Sequence, residues 1–259
     1  MPSGGDMKKA KASDGPKPDP TTGMVLAAGK GLRMRPITLK TPKPMIKLNG
    51  RTLIDHALDR FEAAGVTKAV INTHHLGAQL ERNLEQRVAP EIFFSREEDL
   101  LETGGGVKKA LPLLGSDPVF VVNGDAFWLN GPTDALRRLA GEWDEEQMDV
   151  LLMLHPTVEA YGYNGQGDFY CDADGRLTRR VEGETEPWLF AGVQILHPRI
   201  LDGAPEGPFS LNWAYDRALD GERLYGMVHD GEWFHIGTPD GLGEAERYMQ
   251  THFPESRHR

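Results

Sequence analysis

The sequence predicts an α/β fold: a doubly wound, mostly parallel, Rossmann-like sheet with a mixed second half. Two observations carry this. Short apolar runs alternate with amphipathic stretches from Met24 to Trp143, and strands separated by helices join in parallel. After Asp149 the alternation gives way to strands set around a hairpin-type turn, Asp172-Ala173-Asp174-Gly175. No linker separates the two halves, so residues 24–259 are expected to form a single domain.

Residues 24–28 are an apolar run followed at once by Gly29, Lys30 and Gly31, a buried strand that ends in a tight turn. Over 52–64, Leu53, Ile54, Ala57, Leu58, Phe61 and Ala64 recur at helical spacing. Residues 68–72 predict a strand, 76–84 a helix and 91–95 a third strand. The spacing of Val107, Ala110 and Leu111 predicts a short helix over 104–111, with Pro112 expected to end or kink it. Residues 118–123 are a very apolar strand stopped by Gly124 and Asp125, and 132–143 are again helical. The back half predicts strands over 150–154, 168–171, 177–181, 188–196 and 224–228, and a closing helix over 238–249.

Bulk composition narrows the function. The 259 residues are 39% hydrophobic and 26% charged, enough for a soluble globular core. A net charge of −10 argues against a broad nucleic-acid surface, though local cations and backbone N–H groups still hold small anions. Cys171 is the one cysteine, which excludes an intramolecular disulfide and a cysteine zinc site and fits a cytoplasmic location. No apolar run is long enough to span a bilayer. Residues 1–23, rich in Lys, Pro, Asp and Gly, predict a flexible extension with no secretory apolar region.

Four motifs point to chemistry. In Leu26-Ala27-Ala28-Gly29-Lys30-Gly31-Leu32-Arg33-Met34-Arg35, glycines follow a strand where a parallel sheet presents its carboxyl edge to ligands. Backbone N–H groups there can approach phosphate oxygens, and Arg33 and Arg35 add positive charge. No Gly-Lys-Ser/Thr ends the loop, and Met34 stands where a dinucleotide fingerprint needs a third glycine. A plain strand-to-helix turn is the competing reading. Pro42 and Pro44 confine Lys43 to an extended segment. Glu102-Thr103-Gly104-Gly105-Gly106 precedes a helix whose N-terminus has free N–H groups, and close passage of a ligand would justify three glycines. Asp125, at the carboxyl end of a central strand after Asn123, is a candidate Mg²⁺ ligand or a turn aspartate.

Together these residues resemble the sugar-phosphate nucleotidyltransferases, and within that family the bacterial N-acetylmuramate 1-phosphate uridylyltransferases of cell-wall recycling. The likeness runs from about Met24 to the last helix. It implies a glycosyltransferase-A-type fold with a nucleotide-binding front half and a sugar-binding back half. Residues 26–35 match the family's opening signature, so Leu26, Ala27, Ala28, Gly29, Lys30 and Gly31 are expected to bind nucleotide, with Gly104 and Gly105. The catalytic arginine falls on Arg33, the Pro-Lys lysine on Lys43 and the metal aspartate on Asp125. Glu102, Asn123, Glu182 and Gly192 are assigned to the sugar side, the last in Phe190-Ala191-Gly192-Val193. Trp233-Phe234-His235-Ile236-Gly237-Thr238-Pro239 resembles the closing motif.

His235 is a departure, because the family usually has a second metal-binding aspartate there. Three arrangements stay open: Asp125 completes a Mg²⁺ site with phosphates and water, His235 contacts a metal-bound water, or His235 is a structural histidine. The resemblance implies transfer of a uridylyl group from UTP to N-acetylmuramate 1-phosphate, with Mg²⁺ as cofactor and neither nucleic acid nor membrane as partner. A mannose 1-phosphate guanylyltransferase is the alternative within the family. A weakly catalytic nucleotide-sugar-sensing module is the alternative of another class.

Overall fold

A computed structural model describes residues 19–253. Most of the expected flexible extension, residues 1–18, lies outside the described residues. Its last two residues do not belong to it: the first strand, β1, spans Thr22–Leu26. Gly23 is needed there because a side chain would stand 2.5 Å from the Phe61 ring.

The chain continues through two short strands, β2 (Lys47–Leu48) and β3 (Arg51–Thr52), into α1 (Leu53–Ala63). Thr52 caps that helix by accepting the Asp55 N–H. Then follow β4 (Lys68–Thr73), α2 (Gly77–Leu84), β5 (Glu91–Arg96), α3 (Glu102–Leu114), β6 (Val119–Asn123), β7 (Ala126–Leu129) and α4 (Ala135–Glu142). The back half carries β8 (Val150–Pro156), β9 (Phe169–Cys171), β10 (Leu177–Arg179), β11 (Trp188–Leu196), α5 (Asn212–Asp220), β12 (Leu224–Val228), β13 (Glu232–His235) and α6 (Pro239–His252).

The central sheet runs β5-β4-β1-β6-β11-β8-β12. β5, β4, β1 and β6 are mutually parallel. β11 is antiparallel to both neighbours, which returns β8 and β12 to the direction of β6. The expected doubly wound sheet with a mixed second half is therefore present. Alternation along β1 and β6 sends Val25, Phe120 and Val122 to one core, under α1, α2 and α4, and Met24, Val119 and Val121 to the other, under α3 and α5. A third cluster joins α6 to β7 and β13 through Ala245, Met249, Phe127 and Phe234.

Pro112 neither ends nor kinks its helix out of existence: α3 continues to Leu114, where the Gly115 N–H closes on the Leu111 carbonyl. One missing N–H in the last turn is tolerated because Leu114 is buried and anchors it. Several elements had no sequence expectation, among them the short strands β2 and β3. β7 pairs with β13 as a separate ribbon, and α5 buries Ala214, Tyr215 and Ala218. No helix among the described residues is long and apolar enough to cross a membrane.

Candidate active site

A cleft of about 460 Å³ opens at the carboxyl edge of β1, β4 and β6, where an open α/β sheet binds ligands. Leu26, Ala27, Ala28, Gly29 and Gly31 line it, as do Lys43, Glu102, Asn123 and Asp125.

The opening turn is built to stay open. Gly31 has φ +58°, a left-handed conformation that favours glycine. Its carbonyl accepts from the Met34 N–H at 2.9 Å and the Thr38 hydroxyl at 2.7 Å. Met34 is fully buried and pins the following 3₁₀ turn, leaving Lys30 and Arg33 exposed. Gly29 has no atom within 4 Å of where a side chain would start, so its backbone faces free space.

Lys43 and Asp125, 82 residues apart, form an ion pair at the cleft. Gly124 makes the meeting possible. Its N–H donates to the Leu26 carbonyl at 2.9 Å. A side chain on it would stand 2.6 Å from that carbonyl and 3.1 Å from the Pro44 ring. Pro44 therefore packs onto Gly124 and carries Lys43 to Asp125. Lys43 is 12% exposed and Asp125 34%, so the carboxylate still opens to the cleft.

The rims are held by a buried relay that the sequence did not flag. Asn72 accepts the Ala27 N–H at 2.6 Å and donates to Glu97 at 2.7 Å, and Glu97 accepts the Leu101 N–H at 3.0 Å. Both side chains are buried, and such groups stay buried because they are bonded. The one available signal was that Asn72 closes an apolar strand, as Asn123 does.

His235 ends β13 opposite Ala126, one residue beyond Asp125. Burial holds its pKa below the ordinary histidine range, Arg33 lowers it further, Asp125 opposes them and Lys43 adds to the lowering. Geometry joins three of these groups: Asp125 pairs with Lys43 and directly precedes Ala126, the strand partner of His235. The imidazole stands edge-on to Tyr163 at 6.0 Å and lies over Gly237. Gly192, in the β11 bulge with φ +77°, lies against Asn123: a side chain would stand 3.0 Å from its amide nitrogen.

Gly104 and Gly105, expected to bind nucleotide, are not among the residues that line the cleft. Their N–H groups donate to the Phe209 carbonyl at 2.8 and 3.1 Å, so neither is free for a ligand. A side chain on Gly104 would stand 2.4 Å from the Phe209 ring, and one on Gly105 2.5 Å from the Gly207 carbonyl. Packing against the 207–209 segment explains these glycines. Leu100, Glu102 and Thr103, before them, reach the cleft, as does Ser210. Glu182 sits in an exposed turn after β10, away from the cleft lining. Among the described residues no group of three or more His, Cys, Asp or Glu side chains could hold a metal ion.

Comparison with known proteins gives the family. A nucleotidyl transferase family model matches residues 22–252. The N-acetylmuramate alpha-1-phosphate uridylyltransferase of Caulobacter vibrioides is 43% identical over 88% of this chain and 96% of its own length. The enzyme of the same name from Neisseria meningitidis serogroup B is 36% identical over 86% and 96%. A crystal structure of UDP-glucose pyrophosphorylase complexed with UDP-glucose covers 90% of this chain and 99% of its own, with a TM-score of 0.74 at 18% identity, a likeness of fold. The matches span the sheet, the glycine turn and the closing β13–α6 segment together, and the chain belongs to the nucleotidyl transferase family.

Proposed function

We propose that this protein transfers the uridylyl group of UTP to N-acetylmuramate α-1-phosphate, releasing pyrophosphate and UDP-N-acetylmuramate. The observation that carries the reaction class is the Lys43–Asp125 pair set beside an open glycine turn at the carboxyl edge of the sheet. The named relatives of nearly equal length support the choice of nucleotide and sugar.

The reaction needs positioning and charge stabilisation more than covalent help. A phosphate oxygen of the sugar 1-phosphate attacks the α-phosphorus in line. That oxygen is already ionised at neutral pH, so no general base is required. The bond from the α-phosphorus to the bridging oxygen breaks and pyrophosphate leaves with the electron pair. The turn at Gly29–Gly31 offers backbone N–H groups to the leaving phosphates, and exposed Arg33 adds a guanidinium. Lys43 offsets charge growing at the α-phosphate.

The donor set fits Mg²⁺ in one specific way. Asp125 is a single carboxylate open to the cleft, and Mg²⁺ is commonly held by one or two carboxylates plus substrate phosphates. Asp125 would hold the ion and His235, largely neutral beside it, would leave it undisturbed. When bound, the ion supplies positive charge to the reacting phosphates.

The test is pyrophosphate release for UTP, GTP and dTTP against N-acetylmuramate 1-phosphate, N-acetylglucosamine 1-phosphate and mannose 1-phosphate. UTP with N-acetylmuramate 1-phosphate should give the highest kcat/KM. Faster turnover of GTP with mannose 1-phosphate overturns the assignment, and nucleotide binding without turnover of any pair favours a sensing module.

A further inference from the structure

β8 runs with β6, so Pro156 finishes on the same sheet edge as Leu26 and Asn123, and antiparallel β11 starts there at Trp188. The segments 157–168 and 180–187 therefore both stand at that edge, beyond the residues that line the cleft. They are laced into one wall. Thr157 N–H donates to the Pro187 carbonyl at 2.8 Å, Glu186 N–H to Gln166 at 2.8 Å and Arg180 N–H to Asp168 at 3.0 Å. Tyr163 joins this wall to the reaction centre through its edge-on contact with His235.

Arg180 is the unusual member of the wall. Its side-chain hydrogen bonds all leave from Nη1, to the Gln166 side-chain oxygen at 3.2 Å, the Glu184 carbonyl at 3.1 Å and the Val181 carbonyl at 3.5 Å. Every one of these acceptors is neutral. Among the described residues nothing accepts from Nε or Nη2, the edge with which a guanidinium forks a carboxylate. Other arginines of the back half differ: Arg179 is spent on Asp216 at 2.7 Å, and Arg199 and Arg223 on Asp149 at 2.6 and 3.1 Å. The Nη1 bond to Gln166 sets the guanidinium on the segment that carries Tyr163, whose hydroxyl a side chain at Gly165 would meet at 2.2 Å.

We propose that Arg180 binds the carboxylate of the acceptor's lactyl ether, and so distinguishes an N-acetylmuramate phosphate from sugar phosphates that lack that group. The inference rests on the acceptor proposed above. The acceptor phosphate has to reach the α-phosphate at Lys43, on the side away from the leaving phosphates and Arg33, and Asp125 sets that point next to His235. Tyr163 stands between that point and Arg180, so the guanidinium faces the far side of the sugar, where the lactyl group projects, and not the phosphate. Pre-positioned by neutral carbonyls, it keeps its full charge for an incoming anion, and its planar fork suits a carboxylate better than an ammonium does.

The experiment measures kcat/KM with UTP for N-acetylmuramate 1-phosphate and for N-acetylglucosamine 1-phosphate, the same sugar without the lactyl ether. Wild type, Arg180→Ala and Arg180→Lys are compared. Arg180→Ala should lose about 10- to 100-fold with the muramate, mostly in KM, the scale of one charge-assisted pair. It should change by less than about threefold with the glucosamine, and Arg180→Lys should recover part of the loss. Equal losses with both acceptors assign Arg180 to a shared group or to the fold and overturn the inference, as does no loss with either. Wild type alone tests the acceptor: if it strongly favours a sugar phosphate without a carboxylate, the functional assignment fails first, and that result is read before any variant is made.

Discussion

Two glycine clusters of this chain look alike in sequence and do opposite work. Gly29 and Gly31 follow β1 and precede a 3₁₀ turn, and Gly104 to Gly106 lie in the first turns of α3. At Gly29 the space beyond the backbone is empty. At Gly104 and Gly105 it is filled by Phe209 and Gly207, and at Gly106 by Asn72 and Glu97 at 2.8 and 3.0 Å. Under the proposed function, Gly29 lacks a side chain so that a ligand can approach, and the second cluster lacks them so that protein can. The second kind still serves the site, since Gly106 makes room for the relay that holds Ala27 and Leu101. A glycine run is therefore evidence of close approach, and the sequence does not say by what.

The largest expected effect tests whether the open turn faces a working centre. Asp125→Asn keeps size and removes the charge, and turnover should fall at least about a hundredfold, the scale of one preorganised electrostatic element. Lys43→Ala should fall comparably. Urea midpoints should barely move in either, since the ion pair lies partly open to solvent. Turnover close to wild type at ordinary Mg²⁺ concentration would remove Asp125 from the centre. Next in size is Gly105→Ala. Its methyl group meets the Gly207 carbonyl, and overpacking of this kind costs about 1–3 kcal/mol, offset in part by the better helix propensity of alanine. Equilibrium unfolding should show the loss. An unchanged midpoint with a raised KM for UTP would return this cluster to the ligand.

Much of this molecule was legible from its residues, and the misses share a cause. The front-half alternation is set by apolar period, so β4, α2, β5 and β6 fall within a residue or two of expectation. Arg33, Lys43, Asp125 and the turn at Gly29 were visible because charged residues and glycines at strand ends have few structural uses. Asn72 and Glu97 were not, because a buried polar pair is defined by its partner, here 25 positions away. The packing role of Gly104 and Gly105 was hidden likewise, since Phe209 lies over a hundred residues downstream. α5 escaped notice despite Ala214, Tyr215 and Ala218 at helical spacing, because nine residues give only two turns of pattern. Arg180 carries no sequence signal: what marks it is the set of bonds it does not make.

Gly31 lies between the two kinds of glycine and should show a smaller, mixed effect. Its φ of +58° opposes any side chain, and a methyl group would also meet Thr38 at 2.8 Å and Lys43 at 3.2 Å. Left-handed backbone at a non-glycine residue costs about 1–2 kcal/mol. Gly31→Ala should therefore lower the unfolding midpoint and also slow turnover, because relief of the contact moves Lys43. Asparagine, which tolerates the left-handed region better, should recover stability more than activity. If both variants keep full activity while losing stability, the turn positions nothing and Gly31 belongs with the packed cluster.

Gly29→Ala is the smallest effect and the sharpest contrast with Gly105→Ala, since the chemical change is the same methyl group. Gly29 has no left-handed φ and no neighbour within 4 Å, so alanine fits the folded chain without strain. Stability should stay level or rise by a few tenths of a kcal/mol, because alanine narrows the unfolded ensemble. The methyl group would instead occupy space that phosphate oxygens need to reach the backbone N–H groups. A loss of about five- to tenfold in kcat/KM for UTP is expected, roughly the net contribution of one hydrogen bond. KM for the sugar phosphate should hold, which separates this effect from that of Arg180→Ala. Measured side by side, one alanine should cost rate without stability and the other stability first. If Gly29→Ala lowers the unfolding midpoint as much as Gly105→Ala does, the open turn is a packing feature too, and the phosphates must be held elsewhere.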